Sequence, residues 1–143
     1  MFQVHRIFGC IILLSFAFNA KAELFSAKRN YDIRQQVIDA LVLTVPIRQA
    51  LHHHHHEHGG YPGVNDSQAI MLEHAVDCDT CSIALAANTG TILIAFDDRA
   101  HEAIQGQVLM VTLAAAPEYA GDMTCRSDTI EDDHLPHVCR SGQ

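Results

Sequence analysis

The sequence predicts an α+β protein: one N-terminal α-helix packed on a three- to four-stranded antiparallel sheet, followed by a cysteine-bounded tail. Three observations carry this. Between about residues 26 and 58 apolar side chains recur every three to four positions, the period of one helix face. After a turn-rich stretch the pattern changes to three short aliphatic runs separated by glycine- and asparagine-containing turns, as in a β-meander. A sheet of that size must bury its apolar side, and the helix supplies the cover. At 143 residues the chain has room for one domain. Its 48% apolar content and mean hydropathy of +0.05 exclude a wholly disordered chain.

Residues 1–22 have the pattern of a secretory signal peptide. His5 and Arg6 make a short basic start, Ile7 to Phe18 is nearly all apolar, and Ala20-Lys21-Ala22 places small residues where a signal peptidase reads. The apolar run is shorter than the ~20 residues that span a bilayer. Ile7-Phe8-Gly9-Cys10 loosely resembles a lipobox, but Cys10 precedes the apolar run instead of following it. Cleavage after Ala22 predicts a periplasmic or extracellular product, residues 23–143, with no stable membrane span. That product has 7 Lys+Arg against 17 Asp+Glu, a net charge of −10, where the whole chain has −8. This acidity makes nucleic acid an unlikely partner. Loss of Cys10 leaves Cys78, Cys81, Cys125 and Cys139. An even count in an exported chain predicts two disulfides, with three connectivities open.

Within the product, Ile33, Val37, Ala40, Leu41, Thr44, Val45, Arg48 and Leu51 follow one helix face. Pro46 lacks a backbone donor and predicts a kink or a split near Thr44. Gly59-Gly60 ends the helix. Residues 59–80 are expected to be loop, because Pro62, Gly63, Asn65 and Asp66 are turn formers. Strands are expected at Ser82–Ala87, Thr91–Phe96 and Gln107–Ala115, with Asn88-Thr89-Gly90 as the first turn. From Pro117 the sequence has little regular pattern.

The residues in this order resemble the globular head of a type IV pilin. Tyr31-Asp-Ile-Arg-Gln-Gln-Val-Ile-Asp-Ala-Leu41 is similar to the pilin helix segment Y-x-x-R-x-Q-V-x-E-A. Gly60-Tyr61-Pro62 followed by Asn65 resembles the turn that opens the pilin loop. Gly90–Phe96 and Gly106–Leu113 resemble paired sheet strands of the family, and Cys125–Cys139, with Leu135-Pro136 before the closing cysteine, resembles its terminal disulfide loop. The resemblance covers about residues 27–139 and implies a disulfide between Cys125 and Cys139. It also implies an exposed adhesion loop carrying Asp128, Glu131, Asp132, Asp133, His134 and His137. One departure is plain: pilins have a glycine-ending leader and then an apolar helix with Glu at its fifth position. Here the fifth residue after Gly9 is Leu14. The usual prepilin helix is therefore missing, with a signal peptide in its place.

Two further groups invite chemical readings. Cys78-Asp-Thr-Cys81 has the spacing of redox dithiols and metal sites, but Asp77 and Asp79 disfavour a thiolate. A zinc site would lack a second ligand pair, with only His74 and His101 nearby in sequence. A small structural disulfide ring is the expectation. His52, His53, His54, His55, His56 and His58 form a run at the helix end. On a helix His52/His56 and His54/His58 fall at i,i+4 and suit Zn²⁺, Cu²⁺ or Ni²⁺. A solvated helix end without a ligand competes with that reading, and no cofactor is required by the fold. His101-Glu-Ala-Ile-Gln105 lacks the second histidine of a zincin, and no G-x-S-x-G, Walker or dinucleotide fingerprint occurs. The expected protein is therefore not an enzyme. It would act in adhesion or assembly, with pilus or pseudopilus subunits or a host or environmental surface as partners. An exported metal-binding protein using the His run is the alternative.

Overall fold

In the computed structural model, the backbone is described for residues 4–114, 118 and 122–140, and the side chains from residue 23 onward within that range. The order is α1 (Val4–Leu43), α2 (Val45–His58), α3 (Val64–Glu73), β1 (Cys81–Ala86), β2 (Thr91–Phe96), β3 (Val108–Leu113) and β4 (Met123–Arg126). Two single-turn 3-10 helices, Asp132–His134 and His137–Cys139, close the described chain. The expected end of the third strand, Ala115, lies outside the described residues, as do the side chains of 1–22 on which the export reading rests.

The chain divides into two units, residues 1–32 and 33–143. In the first the backbone is helical from Val4, well before the expected start near residue 26, because no proline interrupts it. Its side chains from Glu23 to Asp32 are exposed apart from half-buried Asn30. Among the described residues no helix is long and apolar enough to cross a membrane.

The second unit holds the core. Helix α1 stops at Leu43 because Pro46, two residues into α2, has no N–H to continue the ladder and its ring crowds the preceding turn. Buried Thr44 bridges the break: its N–H and its Oγ1 both donate to Leu41 O, at 3.1 and 2.7 Å, and its own carbonyl accepts from Arg48 N–H at 2.9 Å. The break shifts the phase of the apolar face. Ile47 is buried and Val45 is exposed, where an unbroken helix would have put Val45 inside. Gly59 caps α2 at φ 72°, its N–H bonded to His55 O, the left-handed cap that glycine adopts without a Cβ penalty.

Residues 59–80 are not all loop. Helix α3 occupies Val64–Glu73, and the residues that predicted a turn are its start signal. Gly63 is its N-cap, Asp66 sits in the first turn where the helix dipole favours a carboxylate, and Ser67 Oγ donates to Pro62 O at 3.1 Å. A ten-residue helix with one fully buried side chain leaves little periodicity to read.

The sheet is a meander in the order β1-β2-β3-β4, every pair antiparallel. Strands β2 and β3 alternate strictly, burying Ile92, Ile94 and Phe96 against Leu109, Val111 and Leu113, as a sheet with one solvated face requires. These side chains form one core with Ile33, Val37, Ala40 and Leu41 of α1, Ile47 and Leu51 of α2, and Ile130 and Leu135 from the tail. Strand β4 supplies the fourth strand that the expected three- to four-stranded sheet allowed for, but its place was not read from the sequence, since four residues with Cys125 alone buried carry almost no signal.

Candidate functional site

The disulfide-closed loop is built from β4 outward. Cys125, inward on β4, bonds to Cys139, and both sulfurs belong to the core. Four fasteners hold the loop between them. Ser127 Oγ donates to Val108 O at 2.6 Å and accepts from the N–H groups of Thr129 and Ile130, so one hydroxyl pins the turn after β4 to β3. Ile130 and Leu135 anchor the loop in the core. Arg34 Nη2 donates to Asp133 O at 2.8 Å, and Arg140 Nε to Leu135 O at 3.1 Å.

This framework sets the loop's outer face. Asp128, Glu131, Asp132, Asp133 and His137 are exposed, together with Val138. His134 is not: it is 8% exposed, turned inward by the 3-10 turn that also buries Leu135. It therefore leaves the set of residues able to touch a partner, and its Nδ1 has no hydrogen-bond partner. The result is an acidic ridge on the outer face of the fastened loop. Arg34 is the member whose role sequence reasoning missed; the signal was a lone cation on an otherwise apolar and amide-bearing stretch of helix.

The turn near Tyr61 is a latch. Tyr61 Oη donates to Ala114 O beyond the end of β3, its ring lies against Gly90, and His55 packs on it at 4.9 Å between ring centroids. Burial, with the Asp122 carboxylate adding to it, pushes the Tyr61 phenol above its ordinary value. The neutral donor is the favoured form, so its contribution is complete below about pH 10 and is lost as pH rises through the elevated value. A spectrophotometric titration is expected to show a phenol ionising above the usual range that disappears in Tyr61→Phe. That variant should lose about 1 kcal/mol of stability near neutrality.

The histidine run divides between solvent and structure. His54 Nδ1 pairs with Gly60 O at 3.0 Å and His58 Nδ1 with His54 O at 3.1 Å. Their rings stack at 4.4 Å and 24°, so their nitrogens do not converge on one ion. His53 faces Glu57 at 3.3 Å, and His54 Nε2 lies 3.7 Å from Asp66 on α3. Among the described residues no group of three or more His, Cys, Asp or Glu is placed to hold a metal ion.

Cys78 and Cys81 are joined in a disulfide, which removes both the dithiol and the thiolate-ligand readings of that motif. The incomplete zincin motif is structural too. Gln105 donates to the carbonyls of Asp98 and Ala100, each at 2.9 Å, and His101 Nδ1 accepts from Ala103 N–H. In the same loop a bidentate contact from Arg99 holds the Asp97 carboxyl below the ordinary aspartate range.

A comparison with curated proteins gives no match. The model of the Pilin family, a bacterial filament family, matches residues 34–140, from the arginine that pins the disulfide loop to the arginine just past its closing cysteine. With the helix, the four-stranded meander and the terminal disulfide already placed, this match over well more than half of the chain assigns it: the protein belongs to the pilin family.

Proposed function

We propose that the chain is an exported, non-enzymatic subunit of a type IV pilus or a related secretion or competence system, acting in adhesion or assembly. The observation that carries this is the joint one of a filament-family match and a disulfide-closed loop whose exposed face is acidic. Asp128, Glu131, Asp132 and Asp133 would meet a basic or cation-bearing surface on another subunit or on a host. His137 stands beside them. Export would proceed by cleavage after Ala22, delivering residues 23–143 to the periplasm or beyond.

Mass spectrometry of the exported product is the direct test, and Glu23 is its expected first residue. A product beginning at residue 10 would overturn the cleavage reading and restore an ordinary prepilin leader. For the role itself, the chain should be found in sheared pilus or pseudopilus preparations. Asp128→Asn, Glu131→Gln, Asp132→Asn and Asp133→Asn together should lower attachment or assembly about tenfold without changing the unfolding midpoint. Absence from every such fraction would remove the filament role.

A further inference from the structure

The sheet has two edges, β1 and β4, and they are finished differently. At one, β4 is four residues long, carries Arg126 and is packed by the 3-10 turn His137–Cys139. At the other, β1 runs six residues, Cys81-Ser-Ile-Ala-Leu-Ala86, in unbroken register with β2. It has no charge, proline or bulge, the devices by which edge strands avoid a further partner.

The direction of its backbone groups follows from the ladder. Asp97 N–H donates to Thr80 O and Phe96 N–H to Gln107 O, each at 3.0 Å, so Ser82, Ala84 and Ala86 are the residues that exchange bonds with β2. The N–H and C=O groups of Ile83 and Leu85, between them, point away from it. Among the described residues these outward groups have no hydrogen-bond partner. The side chains of the same two residues are incompletely covered. Their cross-strand neighbours Ile94 and Ile92 are fully buried, whereas Ile83 and Leu85 are half-buried. With Val64, Met71 and Leu72 of α3 they line a groove of about 550 Å³, and no charged side chain among the described residues lines it. Val64 and Leu72 are 59% and 81% exposed. Unpaired strand backbone beside apolar side-chain pockets is the surface an added β-strand recognises.

Charge selects which strand. Between Arg48 and Arg99 the sequence has no Lys or Arg, while Asp66 and Glu73 lie on α3 and Asp77 and Asp79 just ahead of β1. A second copy offering its own β1 would bring these carboxylates against their own kind, which opposes pairing. We propose that β1 and α3 bind an extended segment of a different protein as an added strand, with aliphatic side chains at alternate positions and Lys or Arg at its ends. Its backbone pairs with Ile83 and Leu85, its aliphatic face covers them together with Leu72, and its cations meet the carboxylates around the groove. This peptide-binding edge goes beyond the filament reading and does not depend on it.

The test uses the full chain, isotopically labelled, and a synthetic peptide in which Val and Thr alternate between terminal lysines, followed by NMR at low salt. The peptide should slow hydrogen exchange at the Ile83 and Leu85 amides about tenfold or more. The Ser82 and Ala84 amides, already bonded to β2, should not change. A peptide with its valines contiguous, or with glutamates in place of the lysines, should bind about tenfold more weakly. Ile83→Pro removes one outward N–H without touching the β2 ladder. It should weaken binding about tenfold beyond Ile83→Ala, which loses the side chain and keeps the N–H. Four results would overturn the proposal: no saturable binding up to about 1 mM, protection that appears away from Ile83 and Leu85, or Ile83→Pro binding as well as Ile83→Ala. The fourth is protection of these amides in the chain alone as its concentration rises, which would make a second copy the occupant. The exchange measurement needs no substitution, so it decides the matter even where a variant fails to fold.

Discussion

Replacing Cys125 and Cys139 together by alanine is expected to cost about 3 kcal/mol of stability, the chain-entropy value for a loop of this length. For a chain of this size that lowers the thermal midpoint by about 12 °C, which calorimetry under non-reducing conditions would read directly. The loop is not expected to detach completely. Ile130 and Leu135 keep their places in the core, and Arg34 still reaches Asp133 O. Its outer face should loosen, however, because the bond that joins its two ends is gone. The acidic ridge would then pay an ordering cost before meeting any partner, so attachment or assembly should weaken with every carboxylate still present. The Cys78–Cys81 bridge spans a sequence separation of only 3; removing it should cost about 2 kcal/mol in the same entropy model. A larger loss from the short bridge than from the long one would show that packing, and not loop closure, sets the stability of this region.

Gly90→Ala is the second large effect, and Gly106→Ala is its control. Both glycines sit at left-handed φ, 61° and 69°, where an L-residue is strained by roughly 1–2 kcal/mol. They differ in what a side chain would meet. A Cβ at Gly90 would stand 2.5 Å from two ring atoms of Tyr61, whereas at Gly106 there is nothing within 4 Å. Alanine at 106 should therefore show the conformational strain alone. Alanine at 90 must also displace Tyr61, losing its hydrogen bond to Ala114 O and part of its ring packing, for a total of about 3 kcal/mol. Urea unfolding of the two variants isolates the contribution of the latch. Equal losses would mean that the ring moves aside freely and that the turn after α2 is not held by the sheet.

The elements that were legible in the sequence share a physical reason. Alternation in Thr91–Phe96 and Val108–Leu113 is strict because one face of each strand is buried and the other is wet. The break near Thr44 was legible because proline removes a donor wherever it stands. Helix α3 and strand β4 were not legible. Each is short, and each is held by neighbours: Asn88 N–H, from the turn between β1 and β2, donates to Pro62 O beside the start of α3, and the β3 ladder holds β4. In such elements local pattern is a minor term and tertiary packing the major one. The candidate site divides in the same way. Its carboxylates and cysteines could be named from the chain, but not the inward turn of His134 or the reach of Arg34 across 99 residues to the loop backbone.

By itself, then, the sequence determined the class of the protein, the helix-then-meander order, the family resemblance and the stock of acidic and sulfur-bearing groups. These follow from local periodicity, backbone chemistry and composition, which need no knowledge of neighbours. The tertiary structure has the two cysteine pairs that the resemblance and the short ring spacing led one to expect, and it alone decided which loop residues face outward. It alone separated the histidines that bond to the backbone from those in solvent. Each of those outcomes depends on distances between residues far apart in the chain, and such distances exist only once the core has closed.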